Sequence, residues 1–403
     1  MISVILAAGK GTRMKSGHSK VLHKVNGVPM IRRVVDVLES IGNKKNVFVL
    51  GYKKEDVLAE MGDVDFVTQE EQLGTGHAIL IAKDKIKSYG EDVLITCGDT
   101  PLLKEETLKK LKDMFDGKNL DCIVLSCKVK NPFGYGRIVK ENGKISNIVE
   151  EKEANESEKK IDEINTGVYI FKNESLLYAI EKIDNNNSKG EYYLTDAIKI
   201  LTSEGYNVDS FQIEDEDEIL GVNSKVQLAQ AEKILRNRKN TELMDNGVIL
   251  IDPDATYIED NVQIGQDTVI YPNVIIQGNT KIGKNCKIGD FVEVKNSIVE
   301  DGSKASHLTY IGDAEVGKNV NLGCGVVFVN YDGVKKQKVV VEDNAFIGCN
   351  CNLVAPVKVG ANSYVAAGST VTKKVDPETL FVARSKGVVK RNWKLKNRSN
   401  VKK

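Results

Sequence analysis

Beyond residue 247 apolar side chains recur at a spacing of six. Ile264, Ile270, Ile276, Ile282, Ile288 and Val294 hold that spacing without a gap, and glycine follows three of them directly, at Gly265, Gly283 and Gly289. The spacing lapses, resumes at Val316, Leu322 and Phe328, lapses again, and returns at Val341, Ile347, Leu353, Val359, Val365 and Val371. Neither the 3.6-residue period of a helix nor the two-residue period of a strand produces this. A hexapeptide repeat does, and it predicts a β-helix whose apolar residues stack inward. The lapses hold residues 303–310 and 330–336. A loop that leaves a solenoid lies on a binding face, so the chemistry of this half is expected in those two stretches.

The first half is patterned differently. Short apolar runs at 2–6, 47–50, 64–67, 93–96 and 122–127 alternate with amphipathic stretches such as 30–41 and 77–86. That alternation predicts an α/β domain with a largely parallel sheet, in which ligands sit beyond the carboxyl ends of the strands. Gly9, Lys10, Gly11, Thr12 and Arg13 follow the first run, and Gly98 and Asp99 follow the fourth. A glycine-rich turn lets backbone N–H groups approach an anion, and Arg13 and Lys20 add positive charge, so the loop reads as a phosphate site. Met14 holds the third glycine position of a dinucleotide fingerprint, and no Gly-Lys-Ser/Thr of a P-loop follows. On spacing alone an ordinary tight turn stays open as a reading. Residues 226–243 contain no Gly or Pro and read as one connecting helix, stopped by Asn246 and Gly247.

Composition narrows the partners. Lys+Arg and Asp+Glu are both 57, so no global field favours nucleic acid or a membrane surface. No apolar run approaches the ~20 residues that span a bilayer, and the N-terminus lacks the marks of a signal peptide. Seven scattered cysteines without a C-x-x-C pair suggest a reducing cytoplasm. The expected division is a nucleotide-binding domain at 1–225, a linker helix at 226–246, a β-helix at 247–385 and a basic tail at 386–403 that carries the only tryptophan, Trp393.

Ordered blocks along nearly the whole chain carry a resemblance: LAAGKGTRM (6–14), QEEQLGTGHA (69–78), CGDTPL (97–102), FGYGRI (133–138), EINTG (163–167), GEYYLTD (190–196), GVNSK (221–225), SKASHLTYIGDAEVG (303–317) and NYDG (330–333). With them the chain resembles the bacterial family of bifunctional N-acetylglucosamine-1-phosphate uridylyltransferases / glucosamine-1-phosphate N-acetyltransferases. The resemblance implies a Rossmann-like nucleotidyltransferase domain followed by a left-handed parallel β-helix that forms a homotrimer. It implies that UTP and N-acetylglucosamine 1-phosphate give UDP-N-acetylglucosamine and pyrophosphate. It also implies that acetyl-CoA acetylates glucosamine 1-phosphate.

By the same resemblance Leu6, Ala7, Ala8 and Gly9 form the nucleotide loop, Arg13 and Lys20 face the triphosphate as catalytic groups, and Asp99 and Asn223 hold Mg²⁺. Gln69, Gly74 and Thr75 read the uracil, while Gly136, Glu150 and Asn165 hold the acetamido sugar. In the second half His307 is the base that takes the amine proton, a role that suits an imidazole near pH 7. Lys295, Tyr310 and Asn321 match substrate-binding positions, with Lys295 facing the sugar phosphate; Cys324, Asn330, Tyr331, Cys349, Ala367 and Arg384 match acetyl-CoA positions.

Three departures stand out. Ser19 replaces the proline usual before the lysine, which is expected to loosen the loop. Cys324 and Cys349 stand where alanine and serine are common. The β-helix is short: 281–289 runs straight into 290–295, and no arginine occurs between Arg238 and Arg384. The family clamps the sugar phosphate with an arginine from the missing coils, and lysine does not readily replace a bidentate guanidinium. Coils contact only their neighbours, so the shortened solenoid is expected to fold. Two readings follow. Either both reactions run, or uridylyl transfer runs alone on a trimerisation scaffold.

Overall fold

The computed structural model describes residues 1–391, so Trp393 and the end of the basic tail lie outside the described residues. The chain divides into two compact units, Met1–Leu235 and Arg236–Lys403, and the division falls inside the helix Lys225–Asp245. That helix matches the glycine-free stretch read from the sequence. It stops where Gly247 takes φ 90° and donates its N–H to Met244 O at 2.9 Å.

The first unit is a three-layer α/β sandwich. Its sheet runs in the order Val208–Ile213, Cys122–Lys128, Glu163–Phe171, Val93–Cys97, Ile2–Ala7, Asn46–Leu50, Asp65–Thr68. The strand Ile2–Ala7 is parallel to both neighbours, and its register pairs Leu6 with Cys97 and Ala7 with Leu50. Three loops therefore leave the sheet at one edge, after residues 7, 50 and 97. Ile2 and Val4 are buried on one face and Ile5 on the other, each within its own core, which fixes the strand between helical layers. Along this order the sheet is parallel except at Glu163–Phe171, which runs antiparallel to both neighbours, and off it the antiparallel pair Arg137–Glu141 and Lys144–Val149 joins the sheet through Glu163–Phe171. That strand carries a register shift between Asn165 and Tyr169, with Gly167 at φ 81°.

The second unit is a parallel β-helix. Among the described residues its strands stack into three sheets of eight, seven and six. The six-spaced residues point inward: Ile270, Ile276, Ile288, Val294, Ile347, Leu353, Val359, Val365 and Val371 are fully buried. Hydroxyls stitch consecutive coils. Ser303 Oγ donates to Gly317 O at 2.6 Å and accepts from Val320 N at 2.9 Å; Thr268 Oγ1 donates to Gly283 O at 2.7 Å and accepts from Cys286 N at 3.0 Å. These bonds satisfy backbone groups that the corners would otherwise orphan.

The first lapse in the repeat is not a loop. Residues 303–310 stay in the coil, in the strands Lys304–His307 and Tyr310–Gly312. The inward residues run Val294, Val299, Ala305, Ile311, Val316, so two sides of the coil are one residue short and the phase slips. The second lapse is a true excursion. Between Phe328 and Val341 the chain leaves the coil, closed by a bridge between Tyr331 and Lys336. Asp332 braces it, accepting from the N–H groups of Val334 and Lys335 at 2.9 and 2.8 Å.

Candidate functional sites

In the first unit the glycine loop positions a lysine. Gly11 sits at φ 58°, and a Cβ there would lie 2.8 Å from Lys20 Cβ. Glycine is thus required twice, by conformation and by contact. Ser19, just before, takes φ −57° and ψ 136°, the conformation a proline would hold, and it is buried. The loop is therefore set as a proline would set it, contrary to the loosening expected from the sequence.

Lys20 Nζ bonds Asp99 Oδ2 and lies 3.0 Å from Asn223 Oδ1. Asp99 in turn accepts the Val222 N–H through its backbone carbonyl at 2.9 Å, which ties the Asn223 segment to the end of the Val93–Cys97 strand. Two oxygen donors thus converge on one cationic point, a donor set that suits a hard divalent ion.

Lys20 and Asp99 border a cavity of about 430 Å³ lined also by Leu6, Ala7, Ala8, Gly9, Gln69, Gly74, Thr75 and Glu150, all expected from the sequence, whereas Asn223, Gly136 and Asn165 are not among the residues that line it. Gln69 Nε2 donates to Gly74 O at 3.2 Å. Gly74, at φ 109°, lies against the backbone of Tyr192, where a Cβ would meet Tyr192 O at 2.4 Å. Thr75 Oγ1 accepts the Leu194 N–H at 3.0 Å, so the 190–195 segment closes over this wall. Gly136 packs beside Asn165 and Glu150, and its carbonyl accepts the Asn165 N–H at 2.9 Å. Glu150 Oε1 accepts from Thr195 Oγ1 at 3.2 Å, and burial raises its carboxyl above the usual range. Arg13 is exposed on the turn Thr12–Met14 and is not among the residues that line the cavity.

Among the lining residues not singled out in the sequence, four have long polar side chains: Gln72, Lys189, Glu191 and Tyr193. Three of them lie in or beside the GEYYLTD block, which gave a place but no role. Tyr193 is buried, and its hydroxyl has no partner among the described residues, as expected of a donor that waits for a polar ligand. Cys97 also lines the cavity; burial pushes its thiol up to about 12, which keeps it protonated and unreactive.

In the second unit one corner of four consecutive coils gathers much of the second expected site. Ala305 is in register with Leu322, Leu322 with Ile347, and Ile347 with Val365. Two residues further along each coil stand His307, Cys324, Cys349 and Ala367. Arg384 joins them, its Nη1 donating to Ala367 O at 2.8 Å. His307 is exposed, and Asp290 is its register partner in the preceding coil. The next residue, Leu308, holds the corner at φ 48° and is 59% exposed, where Gly325, Asn350 and Gly368 serve in later coils. A leucine in that conformation is strained, and such strain collects at functional sites.

Tyr310 and Asn330 meet beside this corner. Asn330 Nδ2 donates to Tyr310 Oη at 3.3 Å and to Asp313 Oδ2 at 2.5 Å. Gly312 makes room, since a Cβ there would lie 2.3 Å from Tyr310 Oη. Tyr331 is exposed on the excursion, with its hydroxyl on Gly333 O at 2.7 Å. Lys295 stacks between Gln277 and Gly312 on a second sheet, and Asn321 between Lys304 and Phe346 on the sheet that contains the strand Lys304–His307. Among the described residues neither makes a side-chain bond to the His307 corner.

The sequence matches the MobA-like NTP transferase domain family over residues 3–187 and the bacterial transferase hexapeptide family over 261–296 and 338–373. It is 47% identical to the bifunctional protein GlmU of Clostridioides difficile, over 97% of this chain and 96% of that one. It is 46% identical to the bifunctional protein GlmU of Thermoanaerobacter pseudethanolicus, over 98% and 97% of the two chains. The alignment to the first extends over 444 positions, 41 more than the 403 residues here, so at least that many positions of the relative have no counterpart.

Proposed function

The chain belongs to the bifunctional GlmU family, and we propose that it makes UDP-N-acetylglucosamine, a precursor of cell-wall polysaccharide, at two separate sites, one in each unit. It is a uridylyltransferase and an acetyltransferase. The observation that carries the first activity is the cavity in which Lys20, Asp99, Gln69, Thr75 and Glu150 meet.

In that cavity UTP lies with its uracil against Gln69, Gly74 and Thr75 and its phosphates over the Gly9–Gly11 turn. The sugar of N-acetylglucosamine 1-phosphate is held by Gly136, Glu150, Asn165 and Tyr193. A phosphate oxygen of the sugar attacks the α-phosphorus, and pyrophosphate leaves. No protein nucleophile is needed, so the residues serve by orientation and by charge. Asp99 and Asn223 would hold Mg²⁺, which supplies charge neutralisation at the phosphates. Gln69 and the Gly74 carbonyl fix a polar edge of set width, so UTP is the expected nucleotide. Pyrophosphate release with UTP should exceed that with ATP by at least about tenfold in kcat/KM, and equal rates would reject the uracil assignment.

Gly11 gives a sharper check. Gly11→Ala forces a methyl group against the Lys20 stem. Uridylyl kcat/KM should fall about 10²-fold, the scale of a misplaced catalytic group, while acetyl transfer on the same preparation stays unchanged. A rate near wild type would show that Lys20 does not depend on the loop.

In the second unit His307 takes a proton from the amine of glucosamine 1-phosphate. The amine attacks the thioester carbonyl of acetyl-CoA, and the CoA thiol leaves. Cys324, Cys349, Ala367 and Arg384 border the acetyl-CoA, while Lys295, Tyr310 and Asn321 take the sugar phosphate. A homotrimer is the proposed assembly; Phe346 and Tyr364, in register on one sheet of the β-helix, stack with their rings 4.6 Å apart and are exposed on its outer side, apolar surface of the kind that an intersubunit face covers. No helix among the described residues is long and apolar enough to cross a membrane, and the free cysteines fit a cytoplasmic enzyme.

A further inference from the structure

We infer that the Lys20 ammonium is the resting occupant of the divalent-cation position, and that it gives up this position only when a nucleoside triphosphate draws it away. The inference rests on the reading that Asp99 and Asn223 hold the metal. Lys20 Nζ bonds Asp99 Oδ2 and lies 3.0 Å from Asn223 Oδ1, so it spends its protons on the same two oxygens that a cation would need. The Lys20 and Asp99 side chains are only 14% and 13% exposed, so the pair is poorly screened.

An ammonium and a divalent ion cannot share that point. Their like charges would lie a few ångströms apart in a partly buried site, where Coulomb energies are several-fold larger than in water. Lysine suits the exchange because its charge is compact and sits on a flexible stem. Gly11 packs on the Cβ end of that stem and holds the base of the side chain, while the ammonium end can turn toward the glycine loop. Triphosphate oxygens arriving over that loop offer Lys20 new partners. Asp99 and Asn223 are then freed for the cation, which the phosphates help to hold. Without nucleotide, the enzyme carries its own counter-ion and has little affinity for free metal.

The test is direct titration of the nucleotide-free full-length protein with Mn²⁺, read by the electron paramagnetic resonance signal of the free ion. Lys20→Met should bind Mn²⁺ at least about tenfold more tightly than wild type, a modest fraction of the repulsion removed. Lys20→Gln, which also lacks the charge, should do the same, and the gain should vanish in the Lys20→Met, Asp99→Asn double variant. Equal or weaker binding by both neutral variants, or no detectable binding by any of the proteins, overturns the inference. A gain that persists in the double variant places the metal elsewhere, and then it is the Asp99 assignment that fails.

Discussion

Replacing Asp99 by alanine lowers uridylyl transfer by about 10³-fold or more and leaves acetyl transfer unchanged. The magnitude follows from what the carboxylate does. A bound cation contributes several kcal/mol to a phosphoryl-type transition state, and each 1.36 kcal/mol is a factor of ten in rate. Asp99 is the one carboxylate of the pair that faces Lys20; without it Asn223 is left as a single neutral oxygen donor. The fold has little reason to fail, because the bond from Val222 to Asp99 uses the backbone carbonyl. Pyrophosphate release by Asp99→Ala within tenfold of wild type would remove Asp99 from the metal site.

His307→Ala is expected to lower acetyl transfer by about 10²- to 10⁴-fold, the usual worth of a positioned general base, with uridylyl transfer unaffected. His307 ends the strand Lys304–His307, is exposed, and shares its corner with Cys324, Cys349 and Ala367. Its side chain carries no part of the buried stack, which Ala305 supplies in that coil, so truncation should not unfold the β-helix. A parallel loss of both activities would contradict independent sites. A fall of less than fivefold would mean that another group takes the amine proton.

The repeat was legible because each side of a coil solves the same packing problem, so the same residue class returns every six positions. Its slips were legible as lapses but not as what they are. A five-residue side and a nine-residue excursion both break the phase, and only the paths of Val294–Val299 and Phe328–Val341 tell them apart. In the first unit the strand ends that carry Gly9 and Asp99 were readable from alternation alone. The antiparallel course of Glu163–Phe171 was not, since direction leaves no periodicity. The Lys20, Asp99 and Asn223 cluster joins residues 79 and 203 positions apart. Spacing cannot show such a contact, and only family resemblance brought the three together in advance. Lys189, Glu191 and Tyr193 were missed because an aromatic and charged block after a glycine reads equally well as a surface turn.

The shortened β-helix bears most heavily on the account. No arginine lies between Arg238 and Arg384, so in the proposed site Lys295 would face the sugar phosphate without a guanidinium clamp. The direct measurement is thiol release from acetyl-CoA at saturating glucosamine 1-phosphate, run beside a pyrophosphate assay with UTP and N-acetylglucosamine 1-phosphate on one preparation. The account predicts both signals, with thiol release lost in His307→Ala and pyrophosphate release retained there. Pyrophosphate without thiol release would contradict it, and would leave the β-helix as a scaffold for a single activity.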